Sequence, residues 1–432
     1  MSLTNKTSLM SIILWSGSLL AADLPQDDAN KHMGVASCAA SQCHGSATPR
    51  DVSAVLQNEY VTWTQDDPHS RAYETLASDA SRAIASRLGL SSATSADICL
   101  DCHTDNTAAG NRGDKFQVSD GVGCEACHGG SENWLSTHYN TPSVDHAANI
   151  AAGLYPTESV ADRASLCLSC HLGTDDKFAT HRIMAAGHPR LTFELDTFTE
   201  LWRTAGRQPH YRLDNDYVER KDSGNHSYTW AAGVIAESVH RMQLVKDRVA
   251  GDTMFPELGL YDCHACHRSM KIVHWRRLPR HGNAGPGVPF LNDGSLVMVL
   301  ALARAIDDGL AREFQLALAE LHAAGSQDAE ALRAAANGVQ NLLDTLAARV
   351  TPGVIRGRER QILREVLATG AEGNYLDYVS AEQAFMAVQM LVFEIGDTSL
   401  ADHLDPLGDS LDDDERYRPA LFARLLADLG DE

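Results

Sequence analysis

The chain has 432 residues, a formal net charge of −22, and 44% hydrophobic against 22% charged side chains. That length allows two or three domains with sizeable cores, and the excess of carboxylates excludes nucleic acid as a partner, because phosphates need Lys and Arg opposite them. A basic protein partner suits this net charge better; the charge is uneven, for from residue 291 onward 25 Asp and Glu stand against 11 Arg and no Lys, so this part alone carries −14.

In chain order, Lys6 precedes an apolar stretch from Leu9 to Ala22. A charged start and a short apolar run ending in small residues predict a secretory signal over residues 1–22, cut near Ala22. At about 14 residues the run is short of the roughly 20 that span a bilayer. The next best stretch, Ser295 to Ile306, is short and followed by Asp307 and Asp308. The expectation is an exported, soluble chain with no membrane span after signal cleavage, periplasmic or extracellular.

All ten cysteines then fall into five pairs, each followed at once by a histidine: Cys38, Cys43 and His44; Cys99, Cys102 and His103; Cys124, Cys127 and His128; Cys167, Cys170 and His171; Cys263, Cys266 and His267. Two thiols can form thioethers to the two vinyl groups of one porphyrin edge, while the adjacent imidazole reaches the iron, so each site reads as attachment for haem c. The first has four residues between its thiols, and its loop must bulge. Structural zinc also uses Cys pairs, but it does not ask for His after every pair. At this histidine content, five such coincidences have odds on the order of one in several million.

Gaps of 54, 20, 38 and 91 residues separate the sites, and the shortest is expected to hold two haems close together. The motifs are expected in short helices and loops with little alternating β pattern, as where porphyrins replace a side-chain core; a further helix is predicted around Tyr228 to Val249. The haem domain is therefore set at 23–275. Residues 276–292, rich in Pro and Gly, read as a linker whose arginines have either propionates or solvent as partners. The 293–432 segment shows apolar residues every three or four positions, predicting helices over Leu296–Ala311, Ala329–Val350, Gln361–Leu367, Ala381–Ile395 and Ala420–Leu429 and an all-helical bundle. The expected fold is thus mainly α: a multihaem cytochrome c domain with little regular β structure, then a helical domain. The acidic run Asp412–Glu415 reads as a solvated helix start, and His322 and His403 as ordinary surface or core histidines.

Asp67-Pro68-His69, Gly121 to Gly129, Trp134 to Tyr139, Met184 to Leu195, and Tyr261 to His267 with Trp275-Arg276 behind it resemble the multihaem cytochrome c-554 family over roughly residues 33–280. The resemblance implies that His69, His138 and His188 are distal iron ligands, with His181 and His210 next. His181 and His188, seven residues apart, span about two turns of a helix and so can face neighbouring haems. His210 follows Gln208-Pro209 where relatives often carry Trp after the histidine; here Tyr211 follows. His32, His146, His226, His240, His264, His274 and His281 are read as not binding iron, and Met184 and Met270 as packing residues.

The expected role is that of an exported pentahaem electron carrier between redox proteins through closely spaced haems, most of them bis-His and so closed to substrate. Two alternatives stand beside it. One is a reductase or oxidase of a small nitrogen or sulfur compound at one five-coordinate haem, although no motif here has the Lys for His that marks the catalytic haem of pentahaem nitrite reductases. The other is a homo-oligomeric cytochrome filament with ligands shared between subunits.

Overall fold

The computed structural model describes residues 23–51, 55–140, 145–204, 210–211, 215, 225–249, 257–267, 278–282, 285 and 287–430. The predicted signal over 1–22 lies outside them, as do His274 and Met270. Among the described residues there is no strand; two isolated bridges, His32 with Arg112 and Tyr261 with Leu291, are the whole of the β structure.

Up to residue 204 the chain folds into short helices joined by turns, among them Glu59–Asp66, Asp97–His103, Cys124–His128, Val160–His171 and His181–Ala185. Side-chain packing here is thin. One cluster gathers Leu76, Ala85, Ala93 and Leu100, and another Val160, Ala164, Leu168, Phe193 and Leu195. Such small clusters do not stabilise some two hundred residues by themselves, so another apolar body must complete the interior.

The main core begins with the helix His226–Arg248, whose Trp230, Ala231, Val234 and Met242 are buried, and continues through the helices of the C-terminal half. This helix packs on Ala329–Ala347, on Gly294–Ile306 and on Val160–His171, the helix that carries the fourth Cys-Cys-His site. It therefore ties the haem half to the bundle. Removing a side chain as large and as buried as Trp230 would cost about 3–5 kcal/mol.

Where a helix was expected over Leu296–Ala311, there are two, Gly294–Ile306 and Asp308–Ala324. Asp307 divides them: its carboxylate accepts from the N–H groups of Gly309 (2.8 Å) and Leu310 (3.0 Å). An N-cap of this kind starts a new helix and outweighs the continuing apolar period. The other expected helices are found at Ala329–Ala347, Glu359–Ala371, Tyr378–Ile395 and Pro419–Gly430, close to the expected positions, with short helices at Pro352–Ile355, Thr398–Ala401 and Leu404–Asp409 between them.

The stretch read as a linker contributes to the interior. Leu278, Arg280 and His281 are buried, and the Arg280 Nε donates to Asp293 Oδ2 at 2.7 Å. Arg280 is thus paired within the protein rather than with a propionate or solvent. The same oxygen accepts from His322 Nε2 at 3.0 Å, with His281 Nε2 at 3.9 Å. Burial and the neighbouring guanidinium push His281 down to about 3. These three side chains have the spacing of a metal-ligand set, but Arg280 already supplies the positive charge on the shared oxygen, so the cluster is a buried ion pair with two histidines.

Candidate haem centres

The histidine after each cysteine pair faces one other histidine. Ring centres lie 6.3 Å apart for His44 and His138, 6.4 Å for His103 and His188, 6.5 Å for His128 and His210, 6.1 Å for His69 and His171, and 6.1 Å for His181 and His267. A metal–imidazole bond is about 2.0–2.1 Å. Two such bonds in line, with roughly 1.1 Å from each nitrogen to its ring centre, require about 6.3 Å between centres. The rings are separated by the space of one iron, too far apart to touch.

The ring nitrogens are prepared for the same task. Nδ1 of His44 donates to Glu59 at 2.9 Å, that of His69 to Asp67 at 2.9 Å, and those of His103, His138 and His188 to the carbonyls of Ala72 (3.1 Å), Leu135 (2.7 Å) and Pro189 (2.8 Å). Carboxylate and carbonyl oxygens only accept, so the proton sits on Nδ1 and the Nε2 lone pair is free for a metal. The hydrogen bond to Glu59 raises His44, as ligand basicity requires; for His69 burial acts downward but Asp67 outweighs it. Burial pushes His128 and His171 down to about 4 and also lowers His103 and His210, so these rings are neutral and able to bind at pH 7.

Between the pairs lies a continuous cavity of about 2300 Å³, more than twice the upper range for an ordinary ligand pocket of about 300–1,000 Å³. It is lined by the cysteines of the first four sites and by all four of their histidine pairs. Space, thiols and free imidazole nitrogens therefore fit covalently held porphyrins. Cys38 and Cys124 thiols lie within hydrogen-bonding reach of each other, as do those of Cys102 and Cys170. These contacts bring site one beside site three and site two beside site four.

Local geometry explains how each ring is aimed. Asp67 caps the turn Pro68–Arg71 by accepting from the His69 N–H at 2.9 Å while holding the His69 ring. His181 and His188 do not share two helical turns: the helix is His181–Ala185, and Gly187, at φ 113°, turns the chain before His188. Only glycine adopts that conformation without strain. The turn sends the two rings to different partners, His267 and His103.

Several supporting residues were not singled out from the sequence. Glu59 holds His44, and Phe193 stacks on His171 with ring centres 4.9 Å apart. Glu125, inside the third attachment loop and 2% exposed, accepts from the backbone N–H groups of Met33 (2.7 Å), Gly34 (2.6 Å) and Ser131 (2.8 Å). An acid inside a Cys-x-x-Cys loop was the available signal. Outside the pairs, His32 is buried against Asp105 (2.8 Å) and the Pro25 carbonyl (3.2 Å), and His226 is held by Asp196 at 3.1 Å.

Residues 37–129, which contain the first three attachment sites and His69, match the family described as cytochrome c554 and c-prime. The match supports a c-type cytochrome. It implies, in general terms, an electron-transfer haem protein with covalently bound haem c and redox partners. Sites four and five and the C-terminal helices lie beyond the matched segment. Comparison with curated proteins and with solved structures gave no match. No helix of the described residues is long and apolar enough to cross a membrane.

Proposed function

We propose that this is an exported pentahaem c-type cytochrome that carries single electrons between redox proteins, with all five irons closed by two histidines. The observation that carries the proposal is the set of five facing imidazole pairs, each 6.1–6.5 Å between ring centres. In this reading His44, His103, His128, His171 and His267 are the proximal ligands. His138, His188, His210, His69 and His181 are the respective distal ones. The haems supply the redox chemistry when bound, and the protein fixes their spacing, axial ligands and exclusion of water. Bis-imidazole ligation and an acidic envelope both favour ferric iron, so low potentials are expected.

The geometry favours a carrier over a reductase, because a substrate-binding haem needs an open sixth position and each motif histidine here has a facing partner. The test joins a haem-to-polypeptide ratio with low-temperature paramagnetic resonance of the ferric protein. Five haems, all low-spin, are expected. A high-spin ferric signal that shifts with nitrite, nitric oxide or hydroxylamine would overturn the carrier reading. For export, the expected N-terminus of the protein isolated from the producing cell lies near Asp23.

A further inference from the structure

Four sites share one cavity; the fifth does not line it, and its attachment loop rests against the C-terminal half. Asp262 N–H donates to the Phe290 carbonyl and Asn292 N–H to that of Leu260, both at 2.9 Å, on either side of the Tyr261–Leu291 bridge. Within the attachment loop, the His264 ring lies 5.9 Å from that of Tyr378. The Tyr378 hydroxyl in turn donates to the Leu411 carbonyl at 2.6 Å. The Arg190 guanidinium lies over the Tyr378 ring, 5.3 Å from its centre, and also pairs with Glu382 at 3.0 Å. The loop from Cys263 to His267 is thus seated on the bundle.

This seat faces solvent. Cys43 and Cys266 are the exposed cysteines, so among the five sites the first and the fifth reach the surface through their attachment loops. Acidic side chains gather on one side of the fifth. Residues 402–415 contain seven carboxylates and no Lys or Arg. Directly after Leu411, Asp412, Asp414 and Glu415 are exposed, while Arg416 is held by Asp413 at 3.1 Å. The charge of Asp414 is felt at both Cys263 and His264, with Arg190 acting in the opposite sense at Cys263. Electron exchange between proteins needs close approach to a redox centre, and fields of one sign beside it speed encounter with a partner of the other sign.

We propose that the fifth haem is the port at which this protein exchanges electrons with a lysine-rich redox protein, and that the C-terminal half is the docking module for that partner. The proposal rests on the five-haem carrier reading above. The step is a single electron passing from the ferrous fifth iron to a ferric partner haem; one iron is oxidised, the other reduced, and no bond or proton moves.

The test mixes dithionite-reduced holoprotein with a lysine-rich ferric cytochrome c in a stopped-flow instrument. With Asp412→Asn, Asp414→Asn and Glu415→Gln combined, the second-order rate is expected to fall about 5- to 10-fold at low ionic strength and to match wild type near 0.5 M salt. Glu330→Gln with Asp344→Asn, on another helix, should leave the rate unchanged. Carbodiimide coupling of the same probe to the wild-type holoprotein needs no variant, and should map its lysines to carboxylates within residues 402–415. Cross-links confined to other regions would overturn the proposal. In the same samples, a high-spin ferric signal would overturn the underlying carrier reading, whereas five low-spin haems with an unslowed triple variant would overturn the port alone.

Discussion

Replacing Asp293 by Asn removes the one negative charge on which Arg280, His281 and His322 converge, while changing the side chain's shape very little. Arg280 is 1% exposed and its Nε lies 2.7 Å from Asp293 Oδ2. Two unit charges at about 4 Å in a protein-like dielectric attract by about 4 kcal/mol, and breaking such a buried pair from one side costs about 3–5 kcal/mol. Asp377, 3.9 Å from the guanidinium, offsets part of this: burial pushes it up to about 6 in the intact protein, and losing Asp293 favours its ionisation. The expected cost is therefore about 3 kcal/mol, read from chemical denaturation followed by far-ultraviolet dichroism. Asp293 makes no cap bond to the helix that follows it, so the effect isolates the ion cluster. Arg280 and His322 hold Asp293 well below its usual range despite burial. Its contribution is therefore present above pH 3.8 and lost as pH falls through the depressed value, and Asp293→Asn should lack that acid limb. Arg280→Met with Asp293→Leu should recover part of that cost, because Asp377 is then the one carboxylate left without the guanidinium. An Asp293→Asn protein within about 1 kcal/mol of wild type would refute the reasoning.

Three further outcomes are expected. His210→Ala should leave the haem count at five but convert one iron to a high-spin form in the paramagnetic resonance spectrum; an unchanged low-spin spectrum would show that His210 closes no iron. Glu194, driven up to about 7 by burial with Asp196 adding to the effect, prefers its protonated form in the folded state. Its burden on stability grows from pH 4.5 to 7 and is then constant, about 3 kcal/mol in all. Glu194→Gln should therefore gain on wild type by about that amount across this interval, and a difference independent of pH would contradict it. Glu125→Ala leaves three backbone N–H groups without their acceptor, and should speed proteolytic cleavage near Met33 well before the rest of the chain is cut.

How much of this was legible beforehand depends on the range of the interaction. The attachment sites are local, and so is the Asp67-Pro68-His69 turn, where an acid two residues from a histidine announces a positioned ring. The ten histidines named from sequence all stand in facing pairs, but which faces which was hidden, because the partners are 82 to 102 residues apart and nothing local encodes such contacts. Local rules also misled where two of them competed. The seven-residue spacing of His181 and His188 suggested one helix, and Gly187 ended it; the apolar period through residue 311 suggested another, and Asp307 cut it. Arg280 looked like part of a linker, with a propionate or solvent as its partner, because Pro and Gly surround it. Its burial follows from Asp293, a partner that composition cannot reveal.

The long separation within each facing pair has a topological meaning. With the proposed ligation, every haem is a covalent and coordinate staple that closes a loop of 82 to 102 residues. A disulfide closing a loop of about 100 residues restricts the unfolded chain by roughly 4–5 kcal/mol in the chain-entropy picture. Five iron staples whose loops overlap would hold together a region with little side-chain core. The first three, at His44, His103 and His128, have their second ligand downstream, whereas those at His171 and His267 have it upstream. During synthesis and export, the early irons must then wait, open on one side, for chain not yet delivered, and the last two can close at once. Displacing one distal ring would loosen the architecture as well as the electron path.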